Sequence, residues 1–283
     1  MANIKDLKAR IKAVKNIQQI TKAMKMVAAA KIKKAESKTK AAKPYTEKMG
    51  HIVEELAGFI EEPHPLYELR ELKKVGCWII TADKGLCGSY NHNLISLANQ
   101  TIKELGEKSD LAIMTTGNKA RRFYALHGYD ILHNFHAGAY PEYNEALHIA
   151  KIMIDAFLNN EMDEIWCVYT KFISAMSQKP TKVRVLPLPT PLAKGVHGDM
   201  IFEPDAYTVL DSLLPQYVTV MIYTILLESR AAELGARLVA MGNATDNAEK
   251  LIGDITLKFY RARQEAITKE IIEVSSGAEA LKG

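Results

Sequence analysis

Apolar residues recur at alternating steps of four and three along most of the C-terminal third of the chain. Sixteen such positions run from Leu213 to Ala266; fourteen are apolar, and the other two are Thr224 and Thr245. No proline follows Pro215, and an uninterrupted stripe of this length is typical of a long coiled-coil helix. The pattern predicts one helix over residues 206–283, on the order of 105 Å long if residues 206–276 are unbroken.

A second amphipathic segment at the N-terminus predicts the partner helix, over residues 1–60. No proline or glycine precedes Pro44, and Asn3 is the expected N-cap. Consecutive three-residue steps in its apolar pattern predict a locally overwound, irregular pairing. Because the chain leaves along one helix and returns along the other, we expect an antiparallel coiled coil. The apolar positions of this segment are Ile4, Leu7, Ile11, Val14, Ile17, Ile20, Met24 and Val27.

Between the two long helices, over residues 74–192, short apolar runs alternate with helix-length stretches. Strands are predicted at residues 75–81, 111–115, 165–170 and 183–188, with a shorter edge strand near Ile131. Helices are predicted to begin near Asn91, Asn118 and Tyr143. This alternation predicts an α/β fold with a mostly parallel, helix-covered sheet. The last strand is expected to be antiparallel, because only a short turn at 174–179 separates it from its predecessor.

The net charge of +4 conceals a strong asymmetry along the chain. Residues 1–50 hold fourteen Lys or Arg and three Asp or Glu, whereas the remainder holds 23 basic and 30 acidic residues. Such a cationic helix faces either solvent or an acidic partner. Nucleic-acid binding is disfavoured, because Arg10 is the one arginine of this segment, no aromatic residue precedes Tyr45, and no DNA-binding motif occurs. A nucleic-acid-binding coiled coil stays an alternative hypothesis.

Composition also bears on the compartment. No run of eighteen apolar residues occurs, which predicts that no segment crosses a bilayer, and the first twenty residues lack the apolar core of a secretion signal. The three cysteines fit no metal spacing, and Cys77 and Cys167 lie in strand-like runs where small core side chains are expected. A reducing, intracellular compartment follows as an expectation.

The loop Gly85-Leu86-Cys87-Gly88 follows the first predicted strand, where dinucleotide-binding domains hold phosphate. It lacks both the Gly-x-Gly-x-x-Gly fingerprint and a Gly-Lys-Ser/Thr P-loop. The histidines show no metal-binding spacing, no Gly-x-Ser-x-Gly elbow occurs, and Cys87 has no evident activating partner. We predict no catalytic residue, no cofactor and no metal site. An α/β enzyme with a coiled-coil oligomerisation arm stays the second hypothesis.

Local motifs at special points of the chain indicate a family. They are ITKAMKMVAAAK at 20–31, DKGLCG at 83–88, ATDNA at 244–248 and RARQEAITKEI at 261–271. In this order and over the whole chain, the sequence closely resembles the gamma subunit of the F-type ATP synthase. The resemblance implies a rotating central shaft: an antiparallel coiled coil inside a hexamer of alternating catalytic and non-catalytic subunits, and a Rossmann-like domain outside it. It also implies no direct nucleotide binding and no bond chemistry in this subunit.

The resemblance further implies contacts for individual residues. Arg263 and Gln264 match the family's catch, which hydrogen-bonds a loop of a catalytic subunit. The further matching positions for contacts with catalytic subunits are Arg237, Thr268, Glu273 and Lys84. Lys84 stands where the family commonly has an arginine that meets an acidic loop. Because lysine lacks the bidentate fork of arginine, we expect a less directional contact.

At the other end, Phe202 and Glu203 match the segment that meets the membrane ring of c-type subunits. The resemblance also implies an epsilon-type neighbour in the central stalk and a peripheral location at the cytoplasmic face of a bacterial plasma membrane. Gly242 departs from the family, which often has lysine there, so a local softening of the helix is expected. The apolar C-terminal tip is expected to turn inside an apolar sleeve.

Overall fold

The chain is an α/β protein in which one long helix precedes a five-stranded sheet in the sequence and a longer helix follows it. A computed structural model describes residues 4–60, 62, 64–189 and 202–280, so the expected N-cap Asn3 lies outside the described residues. Helix α1 (Ile4–Ala57) opens the chain and helix α5 (Ala206–Ala280) closes it. The elements between them are β1 (Lys74–Ile80), α2 (Tyr90–Gly106), β2 (Asp110–Thr116), α3 (Asn118–Leu126), β3 (Ile131–Phe135), α4 (Tyr143–Leu158), β4 (Glu164–Ser174) and β5 (Ser177–Leu186).

The sheet has the strand order β3-β2-β1-β4-β5. β1 pairs in parallel with β2 and with β4, and β2 pairs in parallel with β3. β5 joins β4 antiparallel, at the edge of the sheet. The predicted mostly parallel sheet, its edge strand near Ile131 and its antiparallel last strand are therefore confirmed.

The predicted turn at 174–179 is wrong in length. β4 extends to Ser174 and β5 begins at Ser177, and the Ser174 hydroxyl accepts hydrogen bonds from the amides of Met176 and Ser177 at 3.3 and 3.1 Å. Pro180 lies within β5, opposite Thr170. A proline is tolerated there because an edge strand leaves one side of its backbone unpaired. The sequence indicated a turn where the chain forms a long hairpin.

By its contacts, the chain divides into two compact units, residues 1–27 with 238–283, and residues 28–237. In the second unit, one sheet face packs Cys77 and Ile79 against α2 and α3. The other face packs Trp78 and Met114 against α4 and the first half of α5. Both faces are thus covered by helices, as parallel sheets require.

Part of helix α5 is unusually apolar. It contains an 18-residue stretch with a mean hydropathy of 1.4, of which 44% is buried. By length and composition such a stretch can cross a membrane, but a core helix of a globular protein meets the same criterion. Leu210, Leu214 and Val218 of this helix are fully buried in the core on the sheet. This packing accounts for the high hydropathy of α5.

Within each unit, α1 and α5 run antiparallel, which confirms the predicted orientation. In residues 28–237, the hydroxyls of Thr46 and Thr224 are hydrogen-bonded at 2.7 Å, and Gly50 lies beside Tyr217. In the other unit, the Thr245 hydroxyl donates to that of Thr21 at 2.9 Å, and Gly242 lies beside Lys25. Within each unit, as the residue number rises along α1, the number of the contacting residue in α5 falls. All sixteen seam positions of α5 are buried or half-buried.

The predicted N-terminal seam is wrong at three of its eight positions. Ile17, Ile20 and Val27 are 53%, 60% and 55% exposed. The buried line passes through Thr21 instead, because its hydroxyl is satisfied by the hydroxyl of Thr245 and can therefore leave water. Three apolar side chains of α1 consequently point outward. The predicted positions Ile4, Leu7, Ile11, Val14 and Met24 are buried or half-buried.

Replacing Gly242 by alanine is expected to raise the free energy of unfolding by about 0.5–1 kcal/mol, since alanine is the better helix former. A Cβ at this position would lie 3.6 Å from Lys25 Cε, an ordinary contact with the end of a flexible side chain. Circular dichroism during urea unfolding measures the change. Gly253→Ala is a matched control that should gain a similar amount, since no atom lies within 4 Å of a Cβ there.

Gly235→Ala should have the opposite sign, because its Cβ would lie 2.9 Å from the carbonyl oxygen of Ala175 in the β4–β5 turn. A loss of stability in Gly242→Ala comparable to that in Gly235→Ala would contradict the clash-free contact expected at Gly242.

Candidate functional site

The C-terminal part of α5 presents polar side chains on a largely bare helix. Arg263, Gln264, Thr268 and Glu273 are all exposed, and so is every described residue after Ala266. Gln264 and Thr268 lie one helical turn apart and therefore share a face. Glu273 contacts Lys269 at 3.6 Å, but a surface ion pair of this kind contributes little to stability. These four side chains are available to hydrogen-bond another molecule.

Apolar side chains surround this polar set. Ile267, Ile271, Ile272 and Val274 are all exposed. Contiguous exposed apolar surface of this kind marks sites of protein–protein interaction. The last turns of α5 are therefore suited to an apolar enclosure, which agrees with the expected sleeve.

The N-terminal part of α1 combines positive charge with apolar groups. Every basic residue between 4 and 27 is exposed, and the outward-facing Ile17, Ile20 and Val27 lie among them. Asp6 is the one acidic residue in this stretch. This surface favours a partner that offers both carboxylates and apolar side chains. The basic residues are Lys5, Lys8, Arg10, Lys12, Lys15, Lys22 and Lys25.

Lys84 lies exposed on the loop that joins β1 to α2. The neighbouring residue Asp83 anchors this loop, because its Oδ1 accepts hydrogen bonds from the Asn118 backbone and side-chain amides at 3.1 and 3.2 Å. Ala82 donates its amide to Asn91 Oδ1 at 3.0 Å. The two residues that bind the loop, Asn91 and Asn118, lie at the N-terminal ends of α2 and α3, so the loop is fixed where these helices begin.

Arg237 holds the same loop from α5. Its Nη2 donates to the carbonyl oxygens of Lys84 and Gly85 at 3.3 and 3.2 Å, and its Nη1 lies 2.6 Å from Glu233 Oε1. The side chain is only 14% exposed. Sequence reasoning missed this role, because the contact joins residues about 150 positions apart. The contact of Arg237 with a catalytic subunit stays a prediction.

The three cysteines are buried, and the core positions predicted for Cys77 and Cys167 are confirmed. Burial raises the pKa of the Cys77 thiol to about 12 and raises that of Cys167 well above its usual range. Burial also raises the pKa of Cys87, although the nearby Arg237 opposes the shift. Because the thiolate is the nucleophilic form, the Cys87 environment disfavours covalent catalysis.

A small cavity lies at the carboxyl edge of the sheet, where doubly wound domains bind nucleotides. Its volume is about 40 Å³, and its lining includes Thr81 and Gly117 from the sheet side and Arg230 and Glu233 from α5. Small-molecule sites typically have volumes of about 300–1,000 Å³, so this cavity admits water but not a nucleotide. Among the residues that the structure describes, no group of three or more His, Cys, Asp and Glu side chains is placed to hold a metal ion.

The predicted membrane-ring contacts differ in accessibility. Phe202 is half-buried, and its ring meets that of Phe59 edge-on with centroids 5.0 Å apart. Glu203 is exposed. The structure thus engages Phe202 in packing against the core of the second unit and leaves Glu203 accessible.

Comparison with known proteins identifies the family. The ATP synthase family profile matches residues 3–281. The gamma chain of the Moorella thermoacetica ATP synthase is 44% identical over 284 residues, and that of Desulfitobacterium hafniense is 43% identical over 284 residues, each over 100% of both chains.

Solved structures agree in fold. A chain of the Euglena gracilis mitochondrial ATP synthase, in a structure of OSCP, F1 and the c-ring, superimposes with a TM-score of 0.70 at 19% identity, covering 98% of this chain and 94% of that one. A chain from the rotor of the same synthase gives 0.65 at 18% identity, covering 93% and 98%. With the full-length bacterial relatives, this establishes that the chain belongs to the gamma-chain family of ATP synthases.

Proposed function

We propose that this chain is the central-stalk rotor subunit of an F-type ATP synthase and has no catalytic site of its own. It couples ion flow through a membrane ring to ATP synthesis or hydrolysis in the catalytic hexamer by rotating within it. The observation that carries the proposal is the identity of more than 40% with bacterial gamma chains over the full length of both proteins. In this proposal, residues 1–60 and 206–283 form the coiled coil, and residues 74–192 form the Rossmann-like domain.

Coupling by such a rotor depends on differential contact. Each rotor angle favours one conformation of the catalytic subunit it touches, and that preference shifts the conformational equilibrium of the subunit. Arg263 and Gln264, assisted by Thr268 and Glu273, are exposed hydrogen-bonding groups suited to hold one such conformation. In this proposal Lys84 meets an acidic loop of a catalytic subunit, and Arg237 makes a further polar contact with a catalytic subunit.

Two features support a role without bond chemistry. The cavity at the carboxyl edge of the sheet, at about 40 Å³, is far smaller than a nucleotide. Arg230 and Glu233 of α5 line this cavity, so the chain's own long helix covers part of the edge where doubly wound domains bind nucleotides. In this proposal the sheet is a support for Lys84, and it binds no nucleotide.

The assembly follows from the charged and apolar surfaces. The basic and apolar face of α1 fits the inner surface of the hexamer, and Glu203, with Phe202, faces the membrane ring of c-type subunits. An epsilon-type subunit completes the central stalk. The complex is peripheral to the membrane, and we place this chain at the cytoplasmic face of a bacterial plasma membrane.

Co-purification from native membranes tests the proposal. A tagged chain should bring down a large nucleotide-binding complex whose sustained ATP hydrolysis is lost when this chain is left out of reconstitution, while the chain alone hydrolyses nothing. Recovery of the chain alone or as a small oligomer with its own saturable turnover would support the α/β enzyme instead. Steeply salt-dependent DNA binding by the free chain would support the nucleic-acid-binding alternative.

A further inference from the structure

We infer that Glu233 is the positioning residue that fixes the Lys84 loop to the long helix α5, so that a load on Lys84 reaches that helix. The inference deepens the proposed function and rests on it, because it assigns Lys84 a contact with a catalytic subunit. The residues that carry it all lie within residues 28–237, where Glu233 is 4% exposed.

Glu233 holds two guanidinium groups at once. Its Oε1 lies 2.6 Å from Arg237 Nη1, and its Oε2 accepts a short hydrogen bond from Arg230 Nη1. The three residues are spaced by three and four positions along α5, so they share one face of the helix. One buried carboxylate therefore sets the orientation of both arginines.

Each arginine then holds a loop that follows a strand. Arg237 donates to the carbonyl oxygens of Lys84 and Gly85, after β1, and Arg230 Nε donates to the carbonyl oxygen of Ala139 at 2.9 Å, after β3. The planar fork of arginine allows it to bind the carboxylate and a carbonyl together. The two loops at the carboxyl edge of the sheet are thus tied to one carboxylate on α5.

Stability alone does not account for this arrangement. A buried charged network costs desolvation that well-packed apolar residues would avoid, so its net contribution to stability is small or negative. What the network does supply is a unique geometry for two loop backbones. Tyr90, at the start of α2, adds a second tie by donating its hydroxyl to the Ser229 carbonyl oxygen at 3.2 Å. The exposed Lys84 therefore lies on a loop with little freedom.

Hydrogen exchange of the full chain tests the positioning directly. In Glu233→Gln, the amides of Ala82 and Tyr90, whose hydrogen bonds hold the two ends of the loop, should exchange about tenfold faster, because Arg237 loses the charge that orients it. Glu228→Gln is the matched control: it removes an equally buried carboxylate, 5% exposed, five residues before Glu233 in α5, and should leave the loop unchanged. Equal loop exchange in Glu233→Gln and the parent chain would overturn the inference.

A second variant covers the case that Glu233→Gln does not fold. Arg237→Lys keeps a positive charge opposite Glu233 but lacks the second arm that reaches the loop carbonyls. Faster loop exchange is expected here too. If the network were only a charge pair that stabilises the fold, lysine would restore the parent exchange rates, and the inference would fail.

ATP turnover of the assembled complex separates this inference from the proposed function. Lys84→Ala and Glu233→Gln should each lower turnover, and the double variant should be no slower than the slower single one, since both remove the same contact. Unchanged turnover in Lys84→Ala would reject the proposed Lys84 contact, whereas loop exchange would still decide the role of Glu233. Turnover losses that add in the double variant would overturn positioning through Lys84.

Discussion

Replacing Arg263 and Gln264 together by alanine is expected to lower ATP turnover of the assembled complex by about tenfold without preventing assembly. Both side chains are exposed on α5, so their loss removes hydrogen bonds to a partner and little of the chain's own packing. The neighbouring seam residues Ala262 and Ala266 remain half-buried in place, and alanine is a good helix former. Steady-state hydrolysis by complexes of verified composition measures the effect.

Arg261→Ala provides the matched control. It removes the same charge from an exposed position of the same helix, but its side chain projects about 200° around the axis from Arg263. Turnover of this variant should stay close to that of the parent complex. If the double variant assembles and turns over at the parent rate, Arg263 and Gln264 are not the catch.

Gly117→Ala is expected to cause the largest loss of stability of any single substitution considered, about 3 kcal/mol or more. Gly117 has a φ of +92°, and a Cβ there would lie 2.1 Å from the carbonyl oxygen of Thr81. Thr81 cannot give way easily, because its amide donates to the Thr116 carbonyl oxygen and its hydroxyl accepts from the Ala120 amide, both at 2.8 Å. Urea unfolding followed by circular dichroism measures the loss.

Gly128→Ala is the control that separates the cost of the steric clash at Gly117 from the cost of its backbone conformation. Gly128 also has a positive φ, of +79°, but no atom lies within 4 Å of a Cβ at this position. It should therefore cost only the left-handed conformation of a non-glycine residue, about 1–2 kcal/mol. Equal losses in the two variants would contradict the close approach of Gly117 to Thr81.

Much of the sheet could be predicted from the sequence because its strands are short apolar runs bounded by helix-length segments. β1, for example, was expected at 75–81 and lies at Lys74–Ile80, with every residue after Lys74 buried. The β4–β5 hairpin was less predictable. Its outer part is largely exposed and lacks the buried apolar run that marks the inner strands, and it contains Pro180, which only an edge strand tolerates.

The N-terminal seam shows a different reason for error. Ile17 and Ile20 have the hydrophobicity of core residues, but the register of α1 against α5 buries Thr21, whose hydroxyl bonds both the Thr245 hydroxyl and the Gln18 carbonyl oxygen. A hydroxyl pair between residues more than 200 positions apart leaves no periodic signal. In the proposed assembly, the outward isoleucines face the hexamer.

The candidate site also contains residues that could be predicted from the sequence and residues that could not. Arg263 and Gln264 were predicted from their resemblance to a family motif, and their exposure agrees with a contact role. The clamp of Arg237 on the Lys84 loop, and the carboxylate of Glu233 that orients it, depend on the fold bringing α5 to the carboxyl edge of the sheet. Spacing along α5 alone reveals only helix-surface charge pairs.

Rotation of this chain inside an immobilised hexamer tests the central claim most directly. All three native cysteines are buried, so a thiol introduced by Lys108→Cys, at an exposed position after α2, should carry a probe selectively. With ATP, the probe should turn in one direction in steps of about 120°, one for each of the three catalytic subunits of an alternating hexamer. A probe that stays fixed while the labelled complex hydrolyses ATP at the parent rate would contradict the rotor assignment.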